Sequence, residues 1–241
     1  MPVPERPAYH LYRWLWGSLD LLFPPICCGC GKSGIQWCEN CQSQVNIIQP
    51  PFCNICGQPR DVPGLCFRCS TNKPQFNQLR SWAVYDGPVR EAIRSLKYRR
   101  NISLGLVLSA PLVNLFERLG WDIDMIIPVP LGVARLKERG YNQAVLIARP
   151  LALRINVPCK TQVLHRVRET RTQVGLSLSQ RRENVENAFQ AIKGEVSRKR
   201  VLVVDDVATS SATLNACASA LLNAEADAVY CLTLARAGER I

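Results

Sequence analysis

The chain of 241 residues has room for one large domain, or for a small module joined to a medium one. Hydrophobic residues make up 47% of it, enough for a sizeable core, which excludes wholesale disorder. Its formal net charge of +11 favours anionic partners such as nucleic acid, phosphorylated metabolites or an acidic membrane surface, although the same surplus also occurs on proteins with no such partner.

Residues 1–25 read as an N-terminal segment with an amphipathic helix over 8–23. Tyr12, Leu15, Trp16, Leu19, Leu22 and Phe23 recur there at helical spacing. Pro24 and Pro25 end it. The stretch lacks a continuous apolar run, being interrupted by Arg13 and Asp20, and it is too short and polar for a membrane span. A cytoplasmic chain is therefore expected.

Residues 26–72 change character. Cysteine, glycine, proline and polar residues dominate, and no apolar period is long enough to build a core, so the segment needs a staple to fold. Nine of the twelve cysteines lie between Cys27 and Cys69. Eight of them form pairs with two residues between: Cys27 and Cys30, Cys38 and Cys41, Cys53 and Cys56, Cys66 and Cys69. Such a pair lets one tight turn aim both sulfurs at one metal, and two pairs complete a closed tetrathiolate shell, the geometry of structural zinc. Two zinc ions are expected, one on the first two pairs and one on the last two, with an interleaved pairing also open. Iron–sulfur and redox dithiol chemistry are the competing readings. Cys28 is a spare. Phe52, Phe67 and Arg68 suit either a nucleic-acid contact or the miniature core of the module.

Residues 73–78 read as a linker broken by Pro74. From residue 79 to 241 strands and helices alternate. Strands are predicted over 81–85, 125–129, 200–204 and 228–234, and helices over 88–100, 103–119, 142–153, 179–189 and 211–223. This alternation predicts an α/β fold with a mainly parallel sheet flanked by helices.

Residues 201–213 read VLVVDDVATSSAT. A strand buried on both faces delivers Asp205 and Asp206 at its carboxyl end, where open α/β sheets bind ligands. The Thr209, Ser210, Ser211, Ala212 and Thr213 stretch then offers backbone N–H groups and hydroxyls at the start of a helix, an anion cradle. Carboxylates beside such a cradle make sense when a vicinal diol lies between them, with the acids accepting from ribose hydroxyls and the loop holding a 5′-phosphate. No nucleophile or general base is marked out, and neither His10 nor His165 stands in a catalytic motif.

This stretch resembles the PRPP-binding motif of type I phosphoribosyltransferases. Nearly the whole chain is similar to the ComF family, competence-associated and amidophosphoribosyltransferase-like proteins that join a double zinc ribbon to a phosphoribosyltransferase domain. The resemblance is carried by Leu22, Phe23, Pro24 and Pro25; by Leu96, Lys97 and Tyr98; and by Pro128, Val129, Pro130 and Leu131. Its most distinctive block is Arg135 with Arg139, Gly140, Tyr141, Asn142, Gln143 and Ala144, followed by Arg166, Thr170, Gln173, Leu176, Arg181, Asn184, Ala188 and Phe189. The resemblance implies that Asp205 and Asp206 hold the ribose hydroxyls and that Thr209, Ser210, Ser211, Ala212 and Thr213 hold the 5′-phosphate. It places Lys97, Arg135, Arg139 and Arg181 around pyrophosphate, with Mg²⁺ riding on the ligand's oxygens. It departs at Ser211, where the family loop has glycine.

Two functions follow. One is a phosphoribosyltransferase-like protein binding PRPP or a ribose 5-phosphate ligand, linked to DNA uptake and to proteins of the uptake machinery. The other is a non-catalytic single-stranded DNA-binding accessory protein on the same fold, in keeping with the arginine-rich stretches at 90–100, 135–139, 166–171 and 181–182.

Overall fold

A computed structural model describes Pro7 and residues 25–99, 101–168 and 187–238. The amphipathic segment at 8–23, most of the helix expected over 179–189, and Thr170, Gln173, Leu176, Arg181 and Asn184 lie outside the described residues.

The sheet is built from β1 (Gln78–Val84), β2 (Met125–Pro128), β5 (Arg200–Ala208) and β6 (Ala228–Arg236), all parallel in the order β1-β6-β5-β2. Strand β5 lies inside the sheet, and its residues Val201, Leu202, Val203 and Val204 are fully buried, as a strand covered on both faces requires. Because side chains alternate across a strand, Val201 and Val203 enter one core and Leu202 and Val204 the other.

One face carries helices α3 (Gly87–Tyr98), α4 (Leu104–Leu119) and α6 (Gln143–Ile155). The other carries α8 (Ala212–Asn223) and a two-stranded antiparallel hairpin of β3 (Leu164–Arg166) and β4 (Phe189–Ala191), with α7 (Lys193–Val196) beside it. A short helix α5 (Val133–Arg139), which the sequence pattern did not announce, follows β2.

Three expectations need correction. The helix expected to reach residue 189 does not: Asn187 turns into the left-handed region at φ 53, and Phe189 pairs with Arg166 as a buried strand residue. The stretch 73–78 is not a free linker. Phe76 is buried, Asn77 exchanges two hydrogen bonds with Val229, and Gln78 opens β1, so the segment adds a rung beside β6. Strand β5 also continues past the acidic pair to Ala208, because β6 supplies partners as far as Arg236.

The cysteine-rich part folds against the β1 end of the sheet, with helical turns α1 (Glu39–Ser43) and α2 (Phe67–Thr71). Ile47 bridges Ala83 antiparallel, and Ile48 N–H donates to the Trp82 carbonyl at 3.0 Å. This covers an otherwise open sheet edge. No helix among the described residues is long and apolar enough to cross a membrane.

Helices α4 and α6 meet at Gly105, where an added Cβ would lie 2.5 Å from the Leu146 carbonyl oxygen. In a helix Gly→Ala ordinarily stabilises by about 1 kcal/mol. Here the contact with backbone reverses the sign, and Gly105→Ala is expected to destabilise by about 1–3 kcal/mol. Denaturant unfolding of the zinc-loaded chain measures this, and a gain in stability would refute the close packing.

Candidate phosphate cavity and cysteine tetrads

The eight paired cysteines converge in two groups, Cys27, Cys30, Cys38 and Cys41, then Cys53, Cys56, Cys66 and Cys69, with the sulfurs of each within 4.8 Å of one another. The first pair therefore joins the second and the third joins the fourth. Sulfur separations of 3.6 Å for Cys27 to Cys38, Cys27 to Cys41 and Cys30 to Cys38, and 3.7 Å for Cys56 to Cys66, are close to the ~3.8 Å that a tetrahedral shell with Zn–S bonds of about 2.3 Å requires. Backbone N–H groups of Cys41 and Cys66 donate to the sulfurs of Cys38 and Cys53. All four donors in each group are thiol sulfurs, so the residues present fit closed, structural zinc.

Cys28 stands apart. Its thiol donates to the Gln36 carbonyl at 3.3 Å, and burial, reinforced by neighbouring Cys27, pushes it up to about 12. It packs as a neutral core residue against the face that holds Trp82 and Val89.

The second tetrad is bound to the sheet through two buried arginines. Arg80 of β1 donates to the Asn54 carbonyl and to that of Leu79, both at 2.9 Å, with its guanidinium over the Phe52 ring. Arg236 of β6 donates to the Cys56 carbonyl and to Gln58 Oε1, both at 2.6 Å. Four thiolates around a divalent ion carry two net negative charges, which two guanidinium groups balance. Phe52 is thus part of this inner contact, whereas Phe67 is 81% exposed and Arg68 reaches across to the Ser210 carbonyl.

At the carboxyl end of the sheet lies a cavity of about 640 Å³. Asp205 and Asp206 occupy successive positions of β5 and so project to opposite faces. Asp206 meets Lys97, at the end of α3, with Nζ 2.7 Å from Oδ1. Burial by itself lowers the Lys97 ammonium, but the Asp206 carboxylate, helped by Asp205, offsets this and holds the group above its ordinary value. Asp205 faces the α8 side, near the buried thiols of Cys217 and Cys231. Burial pushes its carboxyl up to about 7, Asp206 adds to that, and Lys97 and Arg166 only partly offset it.

The loop after β5 is three residues long, and α8 begins at Ala212 with its first-turn N–H groups at the cavity. Thr209, Ser211, Ala212 and Thr213 line the cavity, whereas Ser210 faces a groove on the ribbon side. Ser211 has φ 60, the left-handed conformation that glycine adopts without penalty. Two oxygens of this turn, Asp206 Oδ2 and Ser211 Oγ, are buried with no partner among the described residues.

The opposite wall explains the block around Arg139. Gly140, at φ 82, ends α5. Tyr141 donates to the Leu96 carbonyl, pinning the end of α3 that carries Lys97. The Asn142 side chain donates to the Val129 carbonyl and accepts from Ala144 N–H, both at 2.9 Å, so one residue caps α6 and anchors β2. Gln143 accepts from Arg139, whose guanidinium lies over the Tyr98 ring.

Lys97, Arg135, Arg139, Asp205 and Asp206 are thus brought to one cavity, while Arg181 lies outside the described residues. Tyr85, Tyr98, Glu138, Gln143 and Arg166 also line it without having been assigned to the site from sequence. Arg166 carried a signal in its place within the resemblance, but its reach depends on the hairpin that stacks it on Phe189.

Residues 18–70 match the double zinc ribbon domain and residues 141–241 the phosphoribosyl transferase domain. The protein is therefore a two-part molecule, a double zinc ribbon joined to a phosphoribosyltransferase-type α/β domain. Over 215 residues the chain is 32% identical to Competence protein F of Haemophilus influenzae, covering 86% of this chain and 92% of that relative. It is 31% identical to the DNA utilization protein YhgH of Escherichia coli K12, covering 88% and 98%, and 25% identical to Competence protein ComFC of Bacillus subtilis, covering 83% of each. The chain belongs to the ComF family.

The left-handed Ser211 makes a direct prediction. Ser211→Gly removes a conformational penalty of about 1–2 kcal/mol and adds about 0.4–1 kcal/mol of unfolded-state entropy. A net stabilisation of roughly 0.5–1 kcal/mol is expected. A lower unfolding midpoint in thermal denaturation would contradict the strain.

Proposed function

We propose that this chain binds PRPP, or another ligand carrying ribose 5-phosphate, in the cavity above β5, and does so in the handling of imported DNA. The observation that carries this is the pair of buried oxygens without a partner among the described residues, Asp206 Oδ2 and Ser211 Oγ, on residues that line a cavity also walled by Lys97, Arg135, Arg139 and Arg166. Buried polar atoms are nearly always satisfied, so two such oxygens on residues that line one cavity call for a polar ligand. The names of the relatives, competence and DNA utilization proteins, supply the biological setting.

In this reading Asp205 and Asp206 accept from the ribose 2′- and 3′-hydroxyls. Lys97 neutralises Asp206, so the acids and the phosphate do not repel each other. Thr209, Ser211, Ala212 and Thr213 seat the 5′-phosphate at the start of α8, and Ser210 shapes the loop from behind. Arg135 and Arg139 face the pyrophosphate, with Arg181 a further proposed contact. The Asp206 carboxylate and the ligand's own oxygens suit a hard cation, and Mg²⁺, if bound with the ligand, would supply neutralisation of the pyrophosphate charge. In a turnover reaction the C1–oxygen bond breaks and pyrophosphate leaves with the electron pair. An amine-type acceptor forms the new C1–nitrogen bond and loses a proton. The chain's part is to position the ribose and to stabilise the leaving group.

A second reading is supported by Tyr98, 72% exposed with Arg139 over its ring, at the cavity rim. An aromatic ring backed by arginine is a platform for an unpaired base, so single-stranded DNA is a candidate ligand in its own right.

Calorimetric titration of the zinc-loaded chain with PRPP and Mg²⁺ tests the first reading. Asp205→Asn/Asp206→Asn is expected to weaken binding at least tenfold, the cost of roughly 1.4 kcal/mol or more for two lost charged hydrogen bonds. Pyrophosphate release across a panel of amine acceptors distinguishes enzyme from binder. Absence of PRPP binding, together with DNA affinity that falls steeply with salt, would favour the second reading.

The Asp205 carboxyl yields a pH test. A ribose hydroxyl donates best to an ionised acid, so ligand binding favours loss of the Asp205 proton. Affinity should rise with pH up to about 7, the value to which burial pushes this group, and level off above it. Asp205→Asn should remove that part of the dependence, and an unchanged pH profile in the variant would rule out this role.

A further inference from the structure

Two parts of the chain meet behind the phosphate loop. Arg68 lies in helix α2 between the zinc ligands Cys66 and Cys69, so the knuckle that aims those sulfurs also holds its backbone. From there its Nη2 donates to the carbonyl of Ser210, 142 positions away in sequence. A second contact lies alongside: the Gln75 N–H donates to Asn215 Oδ1 at 2.6 Å, in the first turn of α8. A groove of about 550 Å³ separates the ribbon from α8, and Ser211 and Ala212 form a wall common to this groove and to the cavity.

The Ser210–Ser211 peptide is trans. A trans unit points its C=O and its N–H in opposite directions. With the Ser210 carbonyl drawn outward to Arg68, the N–H of Ser211 is turned toward the cavity. The left-handed Ser211 sets this N–H beside the first turn of α8 as a concave anion seat, while the Ala212 N–H donates to Ser210 Oγ at 3.4 Å. Release of the carbonyl lets this peptide rotate and point an oxygen at the phosphate, exchanging attraction for repulsion.

We infer that Arg68 is a positioning residue for the phosphate seat, acting through the Ser210 carbonyl. The inference rests on the ribose-phosphate reading of the cavity and names the element outside the transferase fold that sets its affinity. The second zinc knuckle thereby becomes the outer support of the loop as well as a folding staple. Arg68 lines the rear groove and is absent from the walls of the cavity.

The test uses the full zinc-loaded chain and two probes, ribose 5-phosphate and pyrophosphate with Mg²⁺. Arg68→Met keeps the aliphatic bulk and removes the donor. It is expected to weaken ribose 5-phosphate about tenfold, the scale of one charged hydrogen bond, and to leave pyrophosphate affinity unchanged. Arg68→Lys recovers part of the loss. Hydrogen exchange of the 209–213 amides rises in Arg68→Met while bound zinc stays at the wild-type level. Equal ribose 5-phosphate affinity in wild type and Arg68→Met overturns the inference and leaves the proposed function standing. A parallel fall in both affinities marks general collapse and also overturns it. Failure of the wild type to bind ribose 5-phosphate removes the functional reading and the inference together. If Arg68→Met loses its zinc, the ratio of the two affinities in Arg68→Lys decides, and an unchanged ratio with unchanged exchange overturns the inference.

Discussion

The ion pair between Lys97 and Asp206 at 2.7 Å is the contact on which the candidate site depends. Two acids placed side by side at a strand end next to the proposed anion seat would repel both each other and an anionic ligand. Lysine relieves one of them, and the relief is strong because both groups are largely removed from water. The same contact fixes the end of α3, which Tyr141 holds from the other side through the Leu96 carbonyl. Breaking one partner of such a pair ordinarily costs about 3–5 kcal/mol, because the remaining charge is left buried without compensation. The cavity wall and the fold are therefore coupled here.

The ribbon and the sheet solve one another's weaknesses. A cysteine-rich segment of this length cannot bury enough apolar surface to hold itself together and uses metal instead. It then shares the core of its neighbour: Cys53, Cys56 and Cys69 belong to the same buried cluster as Leu214, Cys217 and Cys231. In return it covers the β1 edge through residues 46–48 and balances its own charge with Arg80 and Arg236. A ribbon so deeply docked is in a position to transmit its state to the loop after β5, which a flexibly tethered one is not.

Strain is concentrated at the same place. Ser211 takes a glycine-like conformation, and its hydroxyl and one oxygen of Asp206 are buried with no partner among the described residues. Each of these costs stability in the free protein, and the two oxygens are groups that a polar ligand would satisfy. Such a concentration at one turn is the usual mark of a ligand site, where local stability is exchanged for preorganisation.

Much was legible in the amino-acid sequence because it rests on local chemistry. The spacing of cysteine pairs is a statement about one turn and one metal, and an apolar run ending in two acids is a statement about a buried strand and its end. Helices α4 and α6 were legible for the same reason, each found within two residues of the ends expected from sequence. What escaped rests on contacts between distant residues. Which cysteine pairs combine, whether Cys28 is a ligand, and that Phe76 is core are decided by packing. The reach of Arg166 depends on a hairpin with Phe189, and that of Arg68 on a carbonyl far along the chain. Periodicity and spacing describe how a segment faces its surroundings, and only the folded chain determines which surroundings those are.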